Sequence, residues 1–295
     1  MAIIGIDIGG TKCAVARADE TGAILEARRF QTTSCQETLE RIMAAVQELA
    51  PGSSPLFGVS CGGPLDSKRG IVLSPPNLPG WDGVPITRLL TERFGGKARL
   101  MNDANAGALA EWRFGAGRGT RNMIFLTHGT GMGGGLILDG RLYEGTTGDA
   151  GEAGHMRLAP EGPIGYGKPG SFEGFCSGAG IARLAKGRIP GMPEPSAKEV
   201  AEAAERGCPE AVAVMNESGM WLGRALAILI DVLNPEMIVL GSIFMRSGHL
   251  LEKSMRSELE KEALPSALAA CRIVPAQLGE QTGIIAAVTV AMENN

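Results

Sequence analysis

Three features of the sequence predict a two-domain α/β protein. Its 295 residues are about twice the ~150 residues common for one domain. Short apolar runs with strand character alternate with longer stretches of helical spacing. Two clusters among the 43 glycines, one in each half, each lie between strand-like runs. A strand–turn–strand unit occurring twice is the mark of an internal duplication.

The elements follow in order. Residues 3–8 are an almost wholly apolar strand, Gly9-Gly10 a tight turn and residues 13–18 the returning strand. A third strand over 24–30 completes a meander. Helical spacing runs from 36 to 49 and stops at Pro51-Gly52, and residues 56–60 form another apolar strand that ends at Cys61-Gly62-Gly63-Pro64. A helix is expected over 86–94, a strand over 98–101 and a helix over 103–114, with Asn102-Asp103 at the strand-to-helix junction. Residues 115–119 (Gly-Ala-Gly-Arg-Gly) suit a hinge because permissive residues absorb backbone rotation. Beyond it come a strand over 123–127, a glycine-rich turn over 129–135, a returning strand over 136–138 and a turn at Asp139-Gly140. Residues 145–170 are expected to be irregular, 209–232 a long helix, 237–240 a strand and 282–292 a closing helix. The expected domains are 1–117, with the closing 282–295 segment packing back on it, and 118–281.

Composition narrows the functional classes. Hydrophobic residues at 44% with charged residues at 20% describe a folded chain, and no apolar run reaches the ~18 residues that span a membrane. The opening Met-Ala-Ile-Ile-Gly-Ile-Asp has neither a basic region nor a small-residue cleavage site, so a cytoplasmic protein without a signal peptide is expected. A net charge of −4 without a basic cluster gives no electrostatic reason for a nucleic-acid partner. The six cysteines are widely spread with no CxxC pair, which suits reduced thiols better than a disulfide framework.

Chemistry concentrates in three segments. In Asp7-Ile8-Gly9-Gly10-Thr11-Lys12, glycines let the backbone approach an anion, Thr11 and Lys12 add a hydroxyl and a cation, and Asp7 suits water-mediated Mg²⁺. An ordinary Gly-Gly hairpin with solvated flanks would read the same. A second turn, Gly129-Thr130-Gly131 with Gly133 to Gly135, favours a polyphosphate held at two places, and no helix-opening GxxxxGK[ST] motif accompanies either. In Asn102-Asp103-Ala104-Asn105, Asp103 can orient a hydroxyl and take its proton late in phosphoryl transfer, while Asn102 can bond adjacent sugar hydroxyls. The same pair is also the commonest kind of helix cap. Third, His155 closes Gly151-Glu152-Ala153-Gly154-His155, near Glu152 and Glu173; a loop histidine satisfied by backbone is the alternative.

Taken together these segments resemble the ROK family (repressors, open reading frames, kinases) over essentially the whole chain. The resemblance covers the 7–12 motif, residues 102–105, the 129–135 turn, residues 151–155 and Asn234-Pro235-Glu236-Met237-Ile238-Val239-Leu240-Gly241. It implies an actin-like ATPase (ribonuclease H-like) fold with a central cleft, ATP with Mg²⁺, a hexose-type substrate and a homodimer or dimer of dimers. By the same resemblance Asp103 is the base, and Asn102, Glu152, His155 and Glu173 contact the sugar. Gly62, Gly63 and Asn77 lie near it, and Gly241 lies beside the adenosine. Many members carry a His and three cysteines that hold a structural Zn²⁺. Here Ile164, Tyr166 and Ser171 stand at the cysteine positions, so no structural zinc is expected, and turns and packing must shape residues 160–170. Ser242-Ile243-Phe244 stands where further glycine is usual.

The expected activity is therefore ATP-dependent phosphorylation of a hexose, with glucose at the 6-hydroxyl first on family frequency. An N-acetylhexosamine such as N-acetylmannosamine, or a β-glucoside, is the alternative. A sugar-responsive repressor would resemble this chain plus a helix-turn-helix segment, whereas six residues precede Asp7. A non-catalytic sensor would have less need of Asp103 and both glycine turns.

Overall fold

A computed structural model describes residues 2–52 and 54–293. They fall into two compact units, one comprising Met1–Phe114, Gly145–Gly148 and Glu280–Asn295, the other Gly115–Glu144 and Asp149–Gly279.

The first unit opens with the antiparallel meander β1 (Ile3–Ile8), β2 (Lys12–Ala18) and β3 (Ile24–Gln31). Helix α1 (Cys35–Leu49) follows, with the Ser34 hydroxyl capping it by accepting from the Glu37 N–H. Strand β4 (Leu56–Cys61) is buried along its whole length, as expected of a parallel strand covered on both faces. A small sheet of β5 (Leu65–Asp66), β6 (Ile71–Leu73) and β7 (Asp82–Val84) precedes α2 (Ile86–Phe94), β8 (Lys97–Asn102) and α3 (Asp103–Phe114). The main sheet runs β3-β2-β1-β4-β8, with β1, β4 and β8 mutually parallel. Ile4, Ile6, Ile42, Val46, Phe57 and Val59 belong to its core.

The second unit repeats that order. Its meander is β9 (Met123–Leu126), β10 (Gly134–Leu138) and β11 (Arg141–Tyr143). A one-turn 3₁₀ segment, Ala153–His155, and the two-residue strands β12 (Ile164–Gly165) and β13 (Lys168–Pro169) interrupt the expected irregular stretch. Helices α4 (Phe172–Cys176), α5 (Gly178–Ala185), α6 (Ala197–Glu205) and α7 (Pro209–Leu233) lead to β14 (Met237–Leu240), then α8 (Ser242–Glu262), α9 (Pro265–Ala270) and β15 (Arg272–Pro275). The sheet runs β11-β10-β9-β14-β15, with β9, β14 and β15 parallel. Each unit thus has three antiparallel strands extended by two parallel ones, the duplication that the paired glycine turns predict.

The last helix, α10 (Thr282–Met292), returns to the first unit and lies across β1 and β4. Glycine makes this possible. Gly5 and Gly58 are register partners; a Cβ on Gly5 would sit 2.6 Å from the Val288 nitrogen, and one on Gly58 would overlap backbone atoms of Ala287 and Ala291. Burial of the apolar helix then follows from the close approach that two missing side chains allow.

Helices α4 to α6, α8, α9 and strand β15 have no counterpart in the sequence reading. Charged residues dilute the apolar repeat of α8, and α4 has only five residues. The capping box at Ser196 and Glu199, with both reciprocal bonds made, is the signal that would have found α6.

Candidate active site

The register of the first unit's parallel strands builds half of the site. Ile8, Cys61 and Asn102 form one row across β1, β4 and β8. The next residues, Gly9, Gly62 and Asp103, therefore leave the sheet side by side at its carboxyl edge, where ligands bind in open α/β sheets. In the turn after β1, the Gly9 N–H donates to the Lys12 carbonyl at 3.2 Å. The Thr32 hydroxyl donates to the Gly9 carbonyl at 2.6 Å, which pins the turn to β3. A Cβ on Gly9 would lie 2.8 Å from the Lys12 oxygen and one on Gly10 2.7 Å from the Asn77 oxygen. Both glycines are thus required by space, and Asn77 backs the turn after β1. Thr11 and Lys12 are exposed beside it.

Asp7 is half-buried, and its carboxylate rests against Gly283 in the first turn of α10, where a Cβ would collide with it. Burial, reinforced by the charge of Asp103 and opposed by Lys12, pushes the Asp7 pKa up to about 6. Asp103 begins α3. Its Oδ1 and the Asn102 Oδ1 each accept from the Ala104 N–H at 2.9 Å, so the capping role and the juxtaposition with Asp7 coexist. The Asp103 carboxyl is reachable by solvent yet set among enough protein that desolvation raises its pKa, the Ala104 N–H working in the other direction. The backbone of Gly62 and Gly63 lines the same pair: Cβ atoms there would approach Asp103 Oδ2 and Asn102 Nδ2 at 3.8 and 3.4 Å.

In the second unit the turn between β9 and β10 is cross-braced. The Thr127 N–H donates to the Gly133 carbonyl at 2.9 Å and the Gly133 N–H to the Thr127 hydroxyl at 3.0 Å. The first N–H groups of α5 are used on this turn: Gly178 donates to the Gly129 carbonyl at 2.8 Å and Ala179 to the Thr130 carbonyl at 3.4 Å. Glu173 reaches in from α4 and accepts from the Met132 N–H at 3.0 Å, close to Gly131. Beneath lies His128, fully buried, with Nε2 3.0 Å from the Cys176 carbonyl and its pKa lowered to about 4 chiefly by burial. Gly241 caps α8 and its N–H donates to the Leu126 carbonyl at 2.9 Å, while Ser242 next to it faces Gly129.

The 3₁₀ turn starts where Gly151 meets Gly134 backbone to backbone. It presents Glu152 and His155, both exposed. Tyr166 joins them: its ring stacks on the His155 imidazole with centroids 3.7 Å apart, and its hydroxyl donates to Glu152 Oε2 at 3.2 Å. Backbone and hydroxyl bonds organise the surrounding loop. Leu158 and Ala159 N–H groups donate to the Gly170 carbonyl at 2.8 and 3.2 Å. The buried Ser171 hydroxyl donates to the Gly165 carbonyl at 3.1 Å and accepts from the Gly174 N–H at 3.0 Å, capping α4. Ile164 is exposed at the start of β12.

The first unit therefore brings together Asp7, Gly9, Gly10, Thr11, Lys12, Gly62, Gly63, Asn77, Asn102 and Asp103. The second gathers Gly129, Thr130, Gly131 and Glu173, with Glu152 and His155 on the adjoining turn. Sequence reasoning did not single out His128, Ser177 or the α5 start. Ser177-Gly178-Ala179-Gly180, a capping serine among glycines, was the available signal; the Ser177 hydroxyl accepts from the Gly180 N–H at 3.0 Å.

A sequence model described as "ROK family" matches residues 3–294. The chain is 34% identical to a glucokinase of Thermotoga maritima over 308 residues, covering 99% of this chain and 97% of the relative. It is 32% identical over 256 residues to an N-acetylmannosamine kinase of Citrobacter koseri, covering 85% and 87%. Among solved structures it is similar to a ROK family glucokinase from Streptomyces griseus in complex with glucose and AMPPNP, with a TM-score of 0.81, 32% identity and coverage of 99% and 100%. A ROK family transcriptional regulator, a homologue of the E. coli MLC protein, superposes with a TM-score of 0.87 at 25% identity, covering 99% of this chain and 78% of the regulator.

Proposed function

We propose, from the premise that the chain belongs to the ROK family and has its two-domain actin-like ATPase fold, that it transfers the γ-phosphoryl group of ATP to a hexose, with glucose at its 6-hydroxyl the first assignment. The observation that carries this reading is the row Gly9, Gly62, Asp103 at the carboxyl edge of one parallel sheet. The Gly9-Gly10 turn and the Asp103 carboxylate follow one row of the sheet, an arrangement that suits a phosphate contact beside a base.

Asp103 aligns the sugar hydroxyl and accepts its proton as the phosphoryl group arrives. The loose transition state puts little charge on the nucleophile early, so a carboxylate is sufficient. Its raised pKa makes it a better acceptor than an ordinary aspartate. Asn102 uses Oδ1 on the helix cap, which leaves the amide end to donate to a sugar hydroxyl. Glu152 and His155 supply further polar contacts to the sugar. The missing side chains of Gly9 and Gly10 let phosphate oxygens approach the turn closely, and Lys12 offsets their charge.

Mg²⁺ fits this donor set: two neighbouring carboxylates, one already pushed up to about 6, are relieved by a cation. Mg²⁺ keeps several waters and shares phosphate oxygens, so few protein carboxylates are needed to hold it. Asp7 would hold it through water, where the ion would neutralise phosphate charge.

A second reading, phosphorylation of N-acetylmannosamine, is favoured by the relatives of that name. The test is ADP release with ATP and Mg²⁺ against glucose, mannose, fructose, N-acetylglucosamine, N-acetylmannosamine and cellobiose. Preferred turnover of glucose supports the first reading and of N-acetylmannosamine the second. No ADP above the sugar-free rate with any of them withdraws the kinase reading to a protein that binds sugar and nucleotide.

A further inference from the structure

Two hairpins of the second unit close with turns of the same backbone geometry and different chemistry. Between β10 and β11, Asp139 and Gly140 have φ of 52° and 74°. Between β12 and β13, Tyr166 and Gly167 have φ of 52° and 74°. Positive φ at both central residues is the type I′ pattern, for which Asn-Gly and Asp-Gly are favoured because short polar side chains tolerate the left-handed region. Asp139-Gly140 follows that rule. Tyr166 breaks it, since a bulky side chain at positive φ is strained. The strained residue is also 42% exposed, so burial of its ring does not account for it.

What the ring touches does account for it. The left-handed backbone aims Tyr166 across the loop onto the 3₁₀ turn, where its face covers the His155 imidazole at 3.7 Å and its hydroxyl meets Glu152 Oε2 at 3.2 Å. Glu152 precedes the 3₁₀ turn Ala153–His155 and His155 ends it, and both are exposed, so burial does not fix their side chains. We infer that Tyr166 is a positioning residue that fixes Glu152 and His155 for sugar recognition, its backbone strain being retained for that purpose. The inference rests on the sugar-kinase reading above.

Tyr166→Asn separates this role from a structural one. Asparagine suits the turn, so a residue kept for stability and a residue kept for positioning predict opposite pairings of effects. The expected result is a Tm equal to or above that of the wild type, with KM for the preferred sugar raised about ten-fold or more. KM for ATP stays within about two-fold, because the stack on His155 and the hydrogen bond to Glu152 both act at the 3₁₀ turn and its first flanking residue. Tyr166→Phe keeps the stack and loses the hydroxyl, so its sugar KM falls between the two. In the sugar-free protein, the ring protons of His155 should show an aromatic ring-current shift that Tyr166→Phe retains and Tyr166→Asn abolishes.

A wild-type enzyme that turns over sugar while both variants keep its sugar KM overturns the positioning role and leaves the kinase reading intact. A fall in Tm for Tyr166→Asn with unchanged sugar KM assigns Tyr166 to stability and also overturns it. A wild type that phosphorylates no sugar removes the kinase reading and this inference with it.

Discussion

The Glu173 carboxylate accepts a hydrogen bond from the Met132 N–H at 3.0 Å. One side chain of α4 therefore holds the glycine-rich turn between β9 and β10, although the resemblance to the ROK family implies a sugar contact for it. Both tasks can belong to one carboxylate, which has two oxygens and several acceptor directions.

Glu173→Ala should then raise KM for ATP as well as for sugar, each by about ten-fold or more, because the Met132 N–H loses a charged acceptor and the turn loses its brace. A purely sugar-contacting residue would move only the sugar KM. Steady-state kinetics with each substrate varied in turn decides, and an unchanged KM for ATP would remove the bracing role.

Asp103→Asn should lower kcat by about 10³-fold while the sugar dissociation constant stays within about three-fold. The amide oxygen of asparagine can still accept from Ala104, so the start of α3 is preserved and the loss is confined to proton acceptance. Calorimetric sugar binding beside the turnover assay checks it. Near-normal kcat would take Asp103 out of the mechanism.

Gly58→Ala should destabilise the first unit by about 2 kcal/mol or more, since the new methyl group must displace backbone of α10 and not a flexible side chain. The corresponding fall in Tm is at least about 4 °C. Gly52→Ala is a control for the methyl group as such: nothing lies within 4 Å of a Cβ there, although its φ of 67° adds some strain. Equal Tm values for wild type and Gly58→Ala would mean that α10 does not seat on that strand.

His128 gives a pH dependence with a definite sign. Its folded pKa of about 4 lies below the ordinary 6.5 because burial disfavours the charged ring. Between these values the unfolded chain binds a proton that the folded chain does not, so stability is full above about 6.5 and is lost as pH falls towards 4. The shift corresponds to about 3 kcal/mol at most. His128→Asn tolerates the left-handed φ of 43° and should lose less stability than wild type between pH 7 and pH 4.5 in urea unfolding. Parallel losses in the two proteins would mean that His128 does not contribute to the acid sensitivity.

Most of the candidate site residues were legible because their signals are local. Asp7 to Lys12, Asn102-Asp103 and the 129–135 turn each sit where a strand ends, and an apolar run stopped by glycine or by a capping pair can be read from neighbouring residues. The duplication was legible for the same reason, since both meanders begin with a strand, a glycine turn and a returning strand. Helix α8 was not: its repeat is diluted by charge and it is held by packing against α7, with Gly219 and Gly223 allowing the backbones to meet.

The sequence by itself determined the α/β class, the two glycine turns and the candidate base, all of which depend on residue type and spacing over a few positions. Only the tertiary structure decided that Gly9, Gly62 and Asp103 emerge in one row, because strand register is set by pairing between segments about fifty residues apart. It also decided that Glu173 braces a turn forty-one residues away and that Tyr166 stacks on His155. Those contacts depend on where a side chain points after the chain has turned back on itself, and no local pattern carries that direction.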